Sequence, residues 1–263
     1  MDWLHRDTHR LLADLVARAV GLSTSERECF VRASVAPDDD REVAIAVNDI
    51  LGDSIGVLSE SVMWGVEHGP CCAQNFRSYL DLALGVRKRR EDALGLMGKA
   101  AHFVGDLATP FHHIGVHTFL PLGLTQGVEE CPADPLAAIL TTMGTAATAI
   151  HQFHPQFEDE MRQYVDGNPT WVMDSDCGLG WLLRMIGEIP LDGWDLPEVV
   201  SRVEELRAYA QVSLVGLLSN VRAIHCGAVD LPAMDVGLQL EATRGSVLRV
   251  IQITVGMLKL LER

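Results

Sequence analysis

The chain reads as all-α, a single multi-helix domain over residues 1–263. Three observations predict it. Apolar residues recur at spacings of three and four along most of the sequence, the repeat of a helix face, while alternating strand-like runs are scarce. The 263 residues, 48% of them hydrophobic, are enough for one large core. No internal repeat, low-complexity tract or linker divides them.

Residues 3–21 form the first helical stretch, with Leu4, Leu11, Leu12, Leu15, Val16 and Val20 as its stripe and Gly21 as its stop. Ser23 and Glu26 have capping-box spacing, opening a second helix that runs to about Ala33. Ser34 to Asp40 reads as a turn carrying three consecutive carboxylates. Helix is expected over 41–66, followed by the polar turn Glu67-His68-Gly69-Pro70, and again over 73–88. A central helix spans 91–108, and Pro110 disfavours helix at Thr109 and ends it. Residues 113–135 are irregular. Helices are expected over 135–153 and 154–166, with Pro155 in the first turn of the second. A Gly/Pro/Asp-rich connection covers 166–195, and two long amphipathic helices, 197–225 and 234–262, close the chain.

The formal net charge of −15 argues against a general binder of nucleic acid or anionic membrane, so no stable nucleic-acid complex is expected. Clustered divalent ions would restore positive charge at one point, which is where a phosphate would dock. No run of about 18 apolar residues occurs, so no transmembrane segment is expected. The start, Met1 to Arg6, lacks the apolar core of a secretory signal. The six cysteines are scattered, as in a reducing compartment. A cytoplasmic location is expected. Oligomeric state is not legible.

The chemistry concentrates in Ala101 to His112. His102 and Asp106 are four apart and share a helix face, and His112 follows just past Pro110. Two imidazoles and a carboxylate converging on one point outline a hydrolytic metal site. The pattern His-x-x-x-Asp-x-x-x-Pro-x-His resembles the central motif of the zinc-dependent phospholipase C and single-strand nuclease superfamily. Phe153-His154-Pro155-Gln156-Phe157-Glu158 is similar to that family's later metal helix. The resemblance touches residues 1 to about 165 through separated motifs.

It implies a helical fold around a metal cluster, with His102, Asp106 and His112 as ligands and His154 and Glu158 as further ones. His9 matches the family's N-terminal helix histidine. Asp38, in Val35-Ala36-Pro37-Asp38, resembles its aspartate turn, where it would bridge metals and take a proton from water. His68 is the partner by order. Asp53, fifteen residues before His68, fits the family spacing better and the local sequence worse. The longer gap between His112 and His154 implies that 113–150 is an insertion over the site. Trp3 follows Met1-Asp2, whereas family members often use an N-terminal Trp to bind metal. His113 and His117 extend the cluster along the loop, His151 stands one turn before His154, and His225 suits a helix end.

The donor set suits zinc, two or three ions per chain, with iron or manganese as alternatives. The expected activity is hydrolysis of a phosphodiester or phosphomonoester by metal-bound hydroxide. The substrate would be a small phosphoester or a lipid headgroup. The alternatives are a biosynthetic enzyme using the cluster, with iron, for non-hydrolytic chemistry, and a non-catalytic helical scaffold.

Overall fold

The computed structural model describes residues 3–39, 72–113, 159, 161–163, 165, 179–190, 194–218, 224–225, 228–229 and 236–263. They are almost entirely helical, in keeping with the all-α reading. The elements in order are α1 (Trp3–Ala19), α2 (Thr24–Ala33), α3 (Ala36–Asp39), α4 (Cys72–Gly85), α5 (Arg90–Ala108), a 3-10 turn (Pro110–His113), α6 (Leu179–Gly187), α7 (Leu196–Leu218), β1 (Ile224–His225), β2 (Ala228–Val229) and α8 (Val236–Leu260). Residues 159, 161–163 and 165 are also helical. The helices expected over 41–66 and 135–153, and the 113–150 insertion beyond His113, lie outside the described residues.

The punctuation in the sequence acts as its chemistry requires. Gly21 has φ +75°, the left-handed conformation that releases the chain from α1. The Leu22 and Gly21 amides return to the Ala17 and Arg18 carbonyls, closing a Schellman motif. The Ser23 amide donates to the Glu26 carboxylate at 3.0 Å, and Arg90 at the start of α5 reaches the other Glu26 oxygen at 2.9 Å. The Arg90 and Ser23 hydrogen bonds hold the Glu26 carboxyl down at about 2. One acid thereby caps α2 and ties it to α5.

Helix α5 is the axis. It packs against α1, α2, α4, α7 and α8, and every residue from Ala100 to Ala108 is buried. A helix apolar on all sides belongs in the interior. Glu91 and Asp92 suit the positive end of its dipole. Its other end stops as Pro110 dictates, with Thr109 extended at ψ 112°. The final carbonyls find side-chain donors: Ser246 Oγ gives a hydrogen bond to Ala108 O at 2.7 Å, and His113 Nε2 to Leu107 O at 2.8 Å. Around this axis Phe30, Leu80, Leu94, Met97, Phe103 and Leu182 are sealed from solvent. Each contributes about 1.5–3 kcal/mol of hydrophobic stabilisation before its entropy cost.

Gly98 lets α2 lie directly on α5. A Cβ there would fall 2.4 Å from the Phe30 carbonyl oxygen and 2.8 Å from the Ala33 Cβ. The close approach sets the last turn of α2, and Ser34 after it, over the next turn of α5.

Three sequence expectations are corrected. The 166–195 connection contains helix α6, whose Trp181, Leu182, Leu183 and Ile186 join or pack on the core. The helix expected over 197–225 is described from Leu196 to Leu218 and does not include His225. His225 lies instead in a two-residue antiparallel ladder, paired with Ala228, and does not cap a helix. The turn from Ser34 contains the helical turn α3, which carries Asp38.

Candidate metal centre

Three of the expected ligands, His9, Asp38 and His102, bring ligand atoms within 4.8 Å of one another, and a fourth, Asp106, contacts both imidazoles. His102 and Asp106 come from α5, one turn apart on a buried face. His9 comes from the inner face of α1. Asp38 comes from α3, with Pro37 in its first turn. His9, His102 and Asp106 are 7%, 0% and 2% exposed, so water does little to screen them.

Asp106 bridges the Nε2 atoms of the two imidazoles. Its Oδ1 is 3.2 Å from His9 Nε2 and its Oδ2 is 3.2 Å from His102 Nε2. The two rings lie with centroids 4.1 Å apart. Asp38 Oδ1 is 3.8 Å from His102 Nε2, and ligand atoms of His9, Asp38 and His102 all fall within 4.8 Å of one another. Asp38 Oδ2 is buried without a hydrogen-bond partner among the described residues. A carboxylate with one unsatisfied oxygen, close to two imidazoles, is a donor set that fits a divalent cation.

The tautomer of His102 sharpens the argument. Its Nδ1 is 3.0 Å from the Ser34 carbonyl oxygen, which can only accept, so Nδ1 carries hydrogen. The neutral ring would then turn an Nε2 lone pair toward two carboxylates. A positive charge is required between them, either a proton on Nε2 or a metal ion. Donation of the second ring N–H to a backbone carbonyl is also how metal-ligating histidines are usually held. Burial alone would push the ring's pKa down. The Asp106 and Asp38 charges reverse this and hold it up at about 9.

The sign of the pH dependence follows. A pKa raised in the folded state gives stability that is complete below the unfolded value of 6.5 and is lost as pH rises through about 9. Chelator-treated protein should therefore lose unfolding free energy between pH 6.5 and 9, as followed by urea unfolding. Stability that rises across that window would contradict the His102 assignment. Metal affinity should move the opposite way, strengthening with pH as the competing proton leaves.

Gly105 makes room for His9. A Cβ on Gly105 would lie 2.6 Å from His9 Cε1 and 2.7 Å from Nδ1, inside contact distance. Gly98, His102, Gly105 and Asp106 thus share one stripe of α5 at helical spacing. On its open side the pair borders a cavity of about 10 Å³, closed in part by Val250 and Thr254 of α8. This is room for about one water molecule. The Thr254 hydroxyl is buried and lacks a partner among the described residues.

The remaining expected ligands stand apart or beyond view. His112 is half-buried on the 3-10 turn, its amide bonded to the Thr109 carbonyl, and it is not among the converging ligand atoms. His113 gives its Nε2 hydrogen to Leu107, and burial lowers its pKa. His68, His154, Glu158 and Asp53 lie outside the described residues, as do His117 and His151. Ser34, Gly105 and Thr254 escaped the sequence reading. Gly105 alone had a signal, as a glycine one turn from His102 in a helix.

Comparison with known proteins gives no relative: no family model, curated protein or solved structure matches the chain.

Proposed function

We propose that the chain is a metal-dependent hydrolase of phosphoesters, with His9, Asp38, His102 and Asp106 at its centre. The observation that carries the reading is the His9, Asp38 and His102 set of ligand atoms within 4.8 Å of one another, with Asp106 contacting both buried imidazoles. The motif resemblance to the zinc-dependent phospholipase C and nuclease superfamily supports it, and adds His68, His112, His154 and Glu158 as further ligands. The donors are nitrogen and oxygen, which suits two or three zinc ions, with manganese or iron as alternatives.

A divalent ion bound there would acidify water and polarise a phosphoryl oxygen. The chain's residues do the rest. Ser34 fixes the His102 ring through Nδ1, Asp106 orients both imidazoles, and Gly105 permits the His9 position. Asp38, the least enclosed of the four at 10% side-chain exposure, is the base that accepts a proton from the attacking water. The fitting substrate is a small phosphoester or a lipid headgroup. A cytoplasmic setting accords with this reading. Among the described residues no helix is long and apolar enough to cross a membrane.

A second reading has an observation of its own. The space against the cluster holds about one water, which suits a closed structural metal in a non-catalytic scaffold. Turnover separates the two. The purified chain with added zinc or manganese should hydrolyse bis-p-nitrophenyl phosphate or p-nitrophenyl phosphate, and Asp38→Asn should remove that activity by about 10²-fold or more. Metal bound without turnover would select the structural reading.

A further inference from the structure

A cleft of about 890 Å³ opens on the outer side of α1 and α2, within the size range of small-molecule sites. Its walls carry five arginines: Arg10, Arg18, Arg27, Arg32 and Arg162. Among the described residues only two carboxylates, Asp14 and Glu28, face the same space. Such a gathering runs against a chain whose net charge is −15 and whose basic residues number 21 in all.

The arginines are not equally committed. Asp14 takes Arg18 at 2.7 Å and Arg27 at 3.4 Å, and Arg162 is paired with Asp159. Arg10 on α1 and Arg32 on α2 are exposed and make no ion pair among the described residues. Two uncommitted guanidiniums on separate helices leave two forks of donors in the cleft. The guanidinium fork matches phosphate oxygens bidentately, and each pairing is a charge-assisted hydrogen bond. Leu11, Val31 and Val35 give the cleft apolar wall as well. Arg10 follows His9 and Val35 follows Ser34, so the cleft and the metal cluster share two backbone segments.

We infer that this cleft binds a small molecule bearing at least two phosphate groups, held by Arg10 and Arg32. The net charge of −15 disfavours a long polyanion, and the volume limits the ligand to metabolite size. The binding goes beyond the proposed hydrolysis and does not depend on it.

Calorimetric titration of the full chain with pyrophosphate tests it, beside R10Q/R32Q and, as a control, R87Q/K88Q. Arg87 and Lys88 are exposed in the turn that follows α4, so the control removes the same charge elsewhere. The wild type and the control should bind alike, and R10Q/R32Q at least about tenfold more weakly, at unchanged metal content. Pyrophosphate's affinity for a resident metal is common to all three proteins, so their difference reports the cleft. No binding by the wild type, equal loss in the control, or undiminished binding by R10Q/R32Q would overturn the inference. Tighter capture of a single-stranded oligonucleotide than of pyrophosphate would overturn the small-molecule assignment. Failure of the metal centre would appear separately, as absent metal with pyrophosphate binding intact.

Discussion

Asp106→Asn is expected to strip the protein of its metal and to destabilise the metal-free fold by about 3–5 kcal/mol, the usual cost of removing one partner from a buried ion pair. The substitution keeps shape and removes charge. Asp106 is 2% exposed and contacts both imidazoles at 3.2 Å, so no water replaces what is lost. In the metal-free variant His102 loses its nearest carboxylate and keeps Asp38, 3.8 Å away, and the Ser34 carbonyl to favour its charged form. Its proton should therefore leave at lower pH than in the wild type. Metal content, urea unfolding and phosphoesterase activity should all fall together. A variant that holds metal and turns over at the wild-type rate would remove Asp106 from the centre.

Gly105→Ala should act through His9 alone. The added methyl meets the imidazole at 2.6 Å and 2.7 Å, so the ring must leave its position beside Asp106. Overpacking of this kind costs about 1–3 kcal/mol. Loss of one oriented ligand should weaken metal binding by about 10–100-fold, the range seen when supporting groups of a metal site are altered. Gly180→Ala is the control. A Cβ at Gly180 meets nothing within 4 Å, so the change should be neutral or stabilising by about 0.5–1 kcal/mol. Equal zinc affinity in Gly105→Ala and wild type would mean that His9 is not a ligand.

What the sequence disclosed and what it hid divide along physical lines. Local rules were legible. Gly21 ended α1, Glu26 capped α2, and Pro110 stopped α5 at Thr109. The i,i+4 placement of His102 and Asp106 also followed from the helix repeat alone. Contacts made by the backbone were hidden, because no side-chain pattern encodes them. The Ser34 carbonyl that fixes the His102 tautomer is one, and the approach of α2 over Gly98 is another. Helix α6 was masked by composition. Gly178, Gly180 and Gly187 bracket its apolar residues and made the segment read as a connection. The helix expected to reach His225 was overextended because apolar spacing continues through Val221 and Ile224, whereas Ile224 and His225 pair in a short ladder.

The centre also shows why four ionisable groups are tolerated in a core. Two carboxylates and two imidazoles buried together cannot all be satisfied without a shared positive charge. A proton on His102 supplies it in the metal-free chain, and a divalent ion supplies it more fully, because Asp38 Oδ2 then gains a partner. Metal binding and folding are accordingly coupled.

Elemental analysis of the purified chain, before and after reconstitution with zinc, manganese or iron(II), tests the central claim most directly. At least one tightly held divalent ion per chain is the predicted result, lost in Asp106→Asn. A folded protein that takes up none of the three would contradict the account and leave His9, Asp38, His102 and Asp106 as a proton-bridged core network.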